Sequence, residues 1–545
     1  MPWNPVLIDS EILAVHAAFL NFDRIIYFAG SQYDAQKPTG IENTRLYNCG
    51  TGEVSKVVGG PGFDLFCCGH ALSANGTLLA AGGTAAYEQA SGPHATHWPG
   101  TRGAAVVRYK PPSAAKWVNI APLNRGIQDP HSESEETGGR WYPTLLTLGN
   151  GDILALSGHP GDGDLEHNNF IPEVFQPFPW PDGEWHRLGS YSNAAQRQLF
   201  DNHRTTFYPR AHLLPTGDVV FTTMTELNRR TVSMTVKDNP WSATFHDVCQ
   251  FTPVNGPDYN NVGFRETSVL LPLLAGEQYQ RRRVLIAGGK DAWILDLSDW
   301  EPGKTPPDAL QWERTERALS GHPRRMSGNA VLLPTGEVLF VGGVKGTIEG
   351  LEKDSTGVQT PEVFDPHTNK WTALTAPKER AKVVRNYHSV ALLMRDGRVW
   401  TAGSCHDGAS GLINAEMRIE IYEPWYYGNP NRPEILAAPD RFTTGDQFVL
   451  RTTQATEIRG VAMVRAGSCT HAFNADQRYV SMAFHHEGSN ILIVTAPPNG
   501  NIAPAGIYFL YTINDQGLPS EGITIYHNTD PASDTEGSWD ALFQT

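Results

Sequence analysis

The sequence predicts an all-β protein: a seven-bladed β-propeller followed by a small C-terminal β-sandwich. Three observations carry that expectation. A strand–turn–strand unit closing on small residues recurs seven times. After most of these units comes a third strand and then a fourth that carries Trp. Finally, the chain changes character at Asn431-Arg432-Pro433, which reads as a linker.

The second strands of the units run in order as Arg24 to Gly30, Thr77 to Gly83, Asp152 to Gly158, Asp218 to Thr223, Val284 to Gly289, Glu337 to Gly343 and Arg398 to Gly403. Each is a short apolar run ending in small residues, and three of the seven end in Gly-Gly. Pro361 to Asp365 exemplifies the third strand and Asn369 to Leu374, with Trp371, the fourth. Four short strands per unit with a Gly-Gly signature describe kelch-type blades, whose period is about 50 residues. An array of sandwiches has no reason to repeat Gly-Gly and Trp at fixed places in each unit. The propeller is therefore assigned to residues 1–430. Short strands such as Gln447 to Leu450, Gly460 to Val464 and Asn490 to Val494 assign an Ig-like (early-set) sandwich to 433–527. Residues 528–545 form a polar tail, and the stretch from His527 onward reads as loosely held.

At 545 residues the chain exceeds one ordinary core. Its 53 Gly and 39 Pro suit a turn-rich protein rather than a helical one. A formal charge of −15 argues against a nucleic-acid groove or an anionic membrane surface as the main partner. No apolar run reaches the length of a membrane span. Met1-Pro2-Trp3-Asn4-Pro5 has no basic character and Glu11 interrupts any apolar run, so no signal peptide is visible. The expected location is cytoplasmic if Met1 is the native start and extracellular if a leader has been removed. A monomer is expected. Cysteines at 49, 67, 68, 249, 405 and 469 show neither zinc-ribbon spacing nor a disulfide framework. The pair Cys67-Cys68 reads as two small buried hydrophobes.

The turn glycine of each blade measures position along its first strand. Nine residues before Gly76, Gly151 and Gly397 lie Cys67, Tyr142 and His388, the last preceded by Tyr387. First strands line the central channel of a propeller, so these side chains are expected at one height around it. The same offset selects Tyr208 and Ser327, so the offset alone does not make a ligand. Neighbouring side chains on a strand point to opposite faces. Tyr387 and His388 can therefore face one metal only where a strand end or bulge re-aims the backbone.

Asp64-Leu65-Phe66-Cys67, Gly139-Arg140-Trp141-Tyr142, Arg385-Asn386-Tyr387-His388-Ser389 and Thr470-His471-Ala472-Phe473-Asn474 together resemble the copper radical oxidases of the galactose oxidase and glyoxal oxidase group. Ala503-Pro504-Ala505-Gly506-Ile507-Tyr508 and Gly517-Leu518-Pro519-Ser520 resemble that family's C-terminal close. The resemblance covers roughly the whole chain. It implies one copper per chain bound by Tyr142, Tyr387, His388 and His471. It further implies a thioether joining Cys67 to the Tyr142 ring, with the sandwich sending His471 into the channel. Tyr142 would then hold a radical beside the metal, and Tyr387 would take the substrate hydroxyl proton. Small aldehydes, as hydrates, or primary alcohols would be oxidised by dioxygen, giving hydrogen peroxide.

The sequence departs from galactose oxidase where a Trp covers the thioether. Here that place reads Ser157-Gly158-His159-Pro160, leaving Phe207, Tyr208 and Trp141 as candidates for the cover. The Arg140-Trp141-Tyr142 context is more similar to the glyoxal oxidase branch. His94, His97, His131, His159, His167, His203, His212, His485 and His486 read as surface or loop residues rather than a second metal site. Glu133-Ser134-Glu135-Glu136 reads as a solvated loop or as a border of the channel mouth that disfavours anions. The competing function class is a non-catalytic kelch propeller serving as a protein-interaction scaffold, which has no reason to hold Cys67, Tyr142, Tyr387, His388 and His471 together. A sialidase-like or lectin propeller comes third, because no carboxylate pair falls on the ring positions.

Overall fold

A computed structural model describes residues 2–529 apart from 31–42, 58, 88–97, 110, 112–113, 125–137, 162–168, 178–182, 190–194, 196–197, 199–206, 223–229, 251–265, 290, 318–324, 346–355 and 407–413. The run Glu133 to Glu136, the histidines 94, 97, 131, 167 and 203, and residues 530–545 lie outside the described residues.

The described part of residues 2–430 is built from antiparallel sheets arranged as seven blades. Blades 2 to 6 are continuous four-stranded meanders whose first strands are Gly69–Leu72, Thr144–Thr147, Ala211–Leu213, Thr267–Leu270 and Met326–Leu332. Their first two strands are almost wholly buried, because each blade packs between two others and both faces of its inner half are covered. The outer strands alternate instead, as in Lys370–Ala373, where Trp371 turns inward between exposed neighbours.

Blade 7 is closed by the start of the chain. Its strands Ser389–Leu393, Val399–Gly403 and Arg418–Tyr422 take Ile8–Asp9 as the outermost member, with Ile8 opposite Ile419. Blade 1 is extended on the opposite side. Its first strand, His16–Leu20, pairs with Ser468–Thr470, a segment that belongs in sequence to the C-terminal region. The hairpin Ser468–Asn474 thus lines the propeller axis as an inner addition to blade 1.

The C-terminal strands form a sandwich in which Tyr479–His486 serves both layers. Residues 479–482 pair with Val461–Val464, and residues 483–486 pair with Leu492–Thr495. A strand that changes partner midway is how two layers share an edge. The last strand runs to Asn528, and His527 within it is buried opposite Gly506. The expectation of a loose chain from His527 is corrected: sheet pairing carries order past that residue.

Two first-strand histidines are also buried. His212 donates to or accepts from Ser268 Oγ at 2.7 Å, and His70 Nδ1 is hydrogen-bonded to Ser468 Oγ. His159 is likewise buried, so the surface assignment of His159 and His212 is corrected, while that of His485 and His486 agrees with their exposure. Burial pushes His70 and His212 from 6.5 down to about 3. The fold holds both neutral, whereas the unfolded chain protonates them below 6.5. Stability is therefore full above pH 6.5 and declines as pH falls toward 3, by up to about 1.4 kcal/mol per unit for each ring. The thermal midpoint should drop steadily between pH 7 and pH 4.5, with a shallower slope in His212→Asn. A midpoint that does not move over that range refutes the prediction.

Candidate metal centre

Five ring positions share one backbone feature. Cys67, Tyr142, Tyr208, Ser327 and His388, all nine residues before their turn glycines, have φ of 61°, 66°, 44°, 59° and 60°. Left-handed backbone is costly for residues with a Cβ and persists only where the surroundings over-determine it. Here it is fixed by bonds between blades: the Tyr142 N–H donates to Cys67 O, and the Tyr208 N–H to Tyr142 O, at 2.9 Å each. The conformation breaks strand alternation at the channel, so successive side chains can turn inward.

At Tyr387-His388 the break occurs just before the strand Ser389–Leu393. Arg385 anchors the approach by donating to the carbonyls of Gly403, Thr401 and Arg418. Asn386 Oδ1 accepts the Tyr387 N–H at 2.6 Å. The two rings then stack with centroids 4.0 Å apart.

His471 is delivered by a two-residue turn. Thr470 pairs with Phe473, so His471 and Ala472 are the loop, with φ of 48° and 63°. Positive φ at both central residues is the type I′ requirement that Asn-Gly ordinarily meets. His-Ala does so at a cost, and such strain gathers at functional sites. Arg210 secures the turn by donating to His471 O at 2.6 Å.

These elements bring Cys67, Tyr142, Tyr387, His388 and His471 together on the axis. The Tyr142 and Tyr387 hydroxyls are hydrogen-bonded to each other. Cys67 Sγ lies 3.9 Å from His471 Nε2 and within hydrogen-bonding reach of Tyr142. Potential ligand atoms of Cys67, His388 and His471 all fall within 4.8 Å of one another, the one such group among the described residues. The two imidazoles meet edge to face at 4.7 Å, and His471 meets Tyr142 at 4.9 Å. Tyr387 is partly exposed and the other four are buried, so the cluster opens to solvent on the Tyr387 side.

The histidines are oriented by their Nδ1 atoms. Thr470 donates its hydroxyl to Val15 O at 3.0 Å, so its oxygen accepts the Nδ1–H of His471 at 2.7 Å and leaves Nε2 toward the cluster. His388 Nδ1 is held by Cys405 Sγ at 3.0 Å. Fixing one ring nitrogen is how proteins aim the other at a metal.

Electrostatics point the same way. Burial, with Cys67 and Tyr387 adding to it, raises the Tyr142 phenol well above its ordinary value. Burial lowers His471 well below 6.5, and His388 and His16 add to the effect. Tyr142 and His471 are therefore held neutral, and a cation inverts that logic by stabilising phenolate beside neutral imidazole. Two imidazoles and two phenols suit Cu(II), so the donor set fits copper.

Trp141 answers the question of the cover by contact. Its ring stacks on Tyr142 at 4.0 Å and 14°, while Phe207 meets Tyr142 edge-on at 5.6 Å and Tyr208 lies tilted at 4.7 Å. Cys68 is buried in the main core, and all six cysteines are free thiols. Sequence reasoning did not single out His16, Thr470, Arg210 or Cys405. His16 and Arg210 act on backbone groups, Thr470 and Cys405 on imidazole nitrogens, and only the contacts reveal these roles.

Comparison with known proteins gives two family matches: the glyoxal oxidase N-terminus over residues 128–426, and the galactose oxidase-like early set domain over 432–526. An aldehyde oxidase GLOX of Vitis pseudoreticulata is 27% identical over 410 residues, covering 70% of this chain and 71% of that protein. A galactose oxidase of Gibberella zeae is 24% identical over 556 residues, covering 96% and 70%. A solved fungal alcohol oxidase in complex with copper superposes with a TM-score of 0.73 at 22% identity, covering 96% of this chain and 99% of that one. That similarity establishes a common fold.

Proposed function

The chain belongs to the glyoxal oxidase family, and from that premise we propose that it is a copper radical oxidase. Its substrates are small aldehydes, as hydrates, or primary alcohols, with dioxygen as acceptor and hydrogen peroxide as co-product. The observation that carries this reading is the convergence of two phenols, two oriented imidazoles and one thiol at the propeller axis. Tyr142, Tyr387, His388 and His471 hold one copper, and a thioether joins Cys67 Sγ to the Tyr142 ring. An interaction scaffold would place its distinctive residues on an outer surface, whereas four of these five are buried.

Copper, when bound, supplies a one-electron acceptor next to Tyr142 and an anchoring point for the substrate oxygen. The rest falls to the chain. Tyr387, the open member of the cluster, takes the substrate hydroxyl proton on its Oη. Tyr142 Oη, as the oxidised phenol, takes the hydrogen from the carbon bearing that oxygen. The thioether donates electron density to the ring and makes Tyr142 easier to oxidise. His388 and His471 keep their geometry throughout, because Cys405 and Thr470 hold their far nitrogens.

Trp141 covers the face of the oxidised ring and excludes water from it. Trp141→Leu should leave copper content unchanged and shorten the lifetime of the oxidised form about tenfold, in keeping with the loss of an aromatic pair. Decay of the visible radical absorption measures this, and a parent-like lifetime would remove Trp141 from the role.

Within the class, aldehydes are the favoured substrates, since the glyoxal oxidase model matches and Arg140-Trp141-Tyr142 resembles that branch. A peroxide-coupled assay of copper-loaded protein against aldehydes, primary alcohols and sugars tests both levels. Turnover of aldehydes above sugars is expected, sugar turnover alone would overturn the preference, and no peroxide with any of them would overturn the oxidase.

A further inference from the structure

Behind Cys67, with its ring 5.9 Å from that of His471, lies a buried histidine that the reaction does not use. His16 opens the first strand of blade 1, and its Nε2 accepts the Cys67 backbone N–H at 3.2 Å. At Tyr142 and Tyr208 the equivalent N–H goes to the carbonyl of the preceding ring residue. At Cys67 a side chain takes the carbonyl's place. The imidazole cannot swing away: it stacks on Phe28 at 4.8 Å and 11°, and meets His70 edge-on at 5.2 Å.

Hydrogen-bond accounting fixes its tautomer. A ring nitrogen that accepts an N–H bears no proton, so His16 carries its proton on Nδ1. Among the described residues that Nδ1 has no partner, and neither has Nε2 of His70, whose Nδ1 is bonded to Ser468. Two orphaned nitrogens on adjoining buried rings are what one internal water satisfies, accepting from one and donating to the other.

We propose that His16 is the positioning residue for the Cys67–Tyr142 bond. Backed through one water by His70, it holds the Cys67 N–H and keeps Cys67 in the left-handed conformation that presents Sγ to the Tyr142 ring. This rests on the thioether reading. In that reaction a carbon–sulfur bond forms at the ring carbon beside the phenol. The thiol hydrogen and one ring hydrogen leave, and dioxygen takes both protons and both electrons to give one hydrogen peroxide. His16 transfers nothing. Its role is to keep an otherwise orphaned N–H satisfied in the reactive conformation.

The test compares two replacements of similar length in the full chain. His16→Gln keeps an acceptor for the N–H and His16→Met does not. Copper-free protein is loaded with copper in air, and the loss of two hydrogens in intact mass is followed with time. Both variants should bind close to one copper per chain. His16→Met should crosslink about tenfold more slowly than the parent, the equivalent of one hydrogen bond, and His16→Gln within about threefold of it. Turnover per crosslinked chain should be the same in all three. Equal rates for Gln and Met overturn the proposal. Absence of the mass loss in the parent removes the thioether itself, a different and separable failure. Should His16→Met not fold, His70→Leu leaves His16 in place without its backing. Slowing of about threefold is expected there, and a parent rate overturns the proposal.

Discussion

Cys67→Ser is expected to keep copper at close to one per chain while turnover falls about a thousandfold, equivalent to about 4 kcal/mol on the barrier. The four proposed ligands are untouched and the exchange of sulfur for oxygen is nearly isosteric, so the metal stays. What the substitution removes is the proposed thioether to the Tyr142 ring. Tyr142 is buried and its phenol is already held well above the ordinary range, by burial first and then by Cys67 and Tyr387. Without the thioether that ring resists oxidation. Intact mass should show no loss of two hydrogens, and thiol reductants should find no bridged peptide to leave intact. Cys68→Ser is the control, because Cys68 packs in the main core and is expected to change little. Retention of turnover in Cys67→Ser would sink the radical mechanism, and loss of the crosslink in Cys68→Ser would shift the bond to the neighbouring residue.

Loss of either imidazole should be larger still for the metal. His388→Ala or His471→Ala is expected to weaken copper binding at least about a hundredfold, since removing a ligand costs more than disturbing the groups behind it. His471→Ala is informative about architecture as well. The turn at 471–472 is held by Arg210 through a backbone carbonyl, which the substitution leaves in place. The variant should therefore fold with its hairpin seated and lose the metal alone. Elemental analysis after loading, with the thermal midpoint of the copper-free form as reference, separates these effects. Full copper in both variants would dissolve the site.

Much of this arrangement was legible because blades repeat. The interval of nine residues to the turn glycine picked out Cys67, Tyr142, Tyr208, Ser327 and His388, and all five adopt the same left-handed backbone. A repeat carries such information because each turn fixes the register of the strand before it. The contacts between blades were not legible. Nothing in the order of residues distinguishes Trp141 from Phe207 or Tyr208 as the cover of Tyr142, since the first two adjoin ring positions, the third occupies one, and only the stacked geometry chooses. His16 and Cys405 each act on a residue through a single contact, one across 51 positions and the other across 17. His212 looked like a loop residue because polarity suggests exposure, yet a first strand between two blades has no exposed face.

Ile8–Asp9 completes blade 7 by pairing with Arg418–Tyr422, more than 400 residues later in the chain. The strand has no sheet to join until nearly the whole propeller has been synthesised. The segment Ser468–Thr470 adds a second long-range requirement, since it must reach His16–Leu20. Contacts of such sequence separation slow folding, because the entropy of closing a very large loop is spent before the pairing returns anything. Blades 2 to 6 can each form as the chain emerges, but the ring stays open, with the unpaired edge of blade 7 exposed to other chains. Yield on refolding should therefore be limited by aggregation of an open ring rather than by misfolding within any one blade.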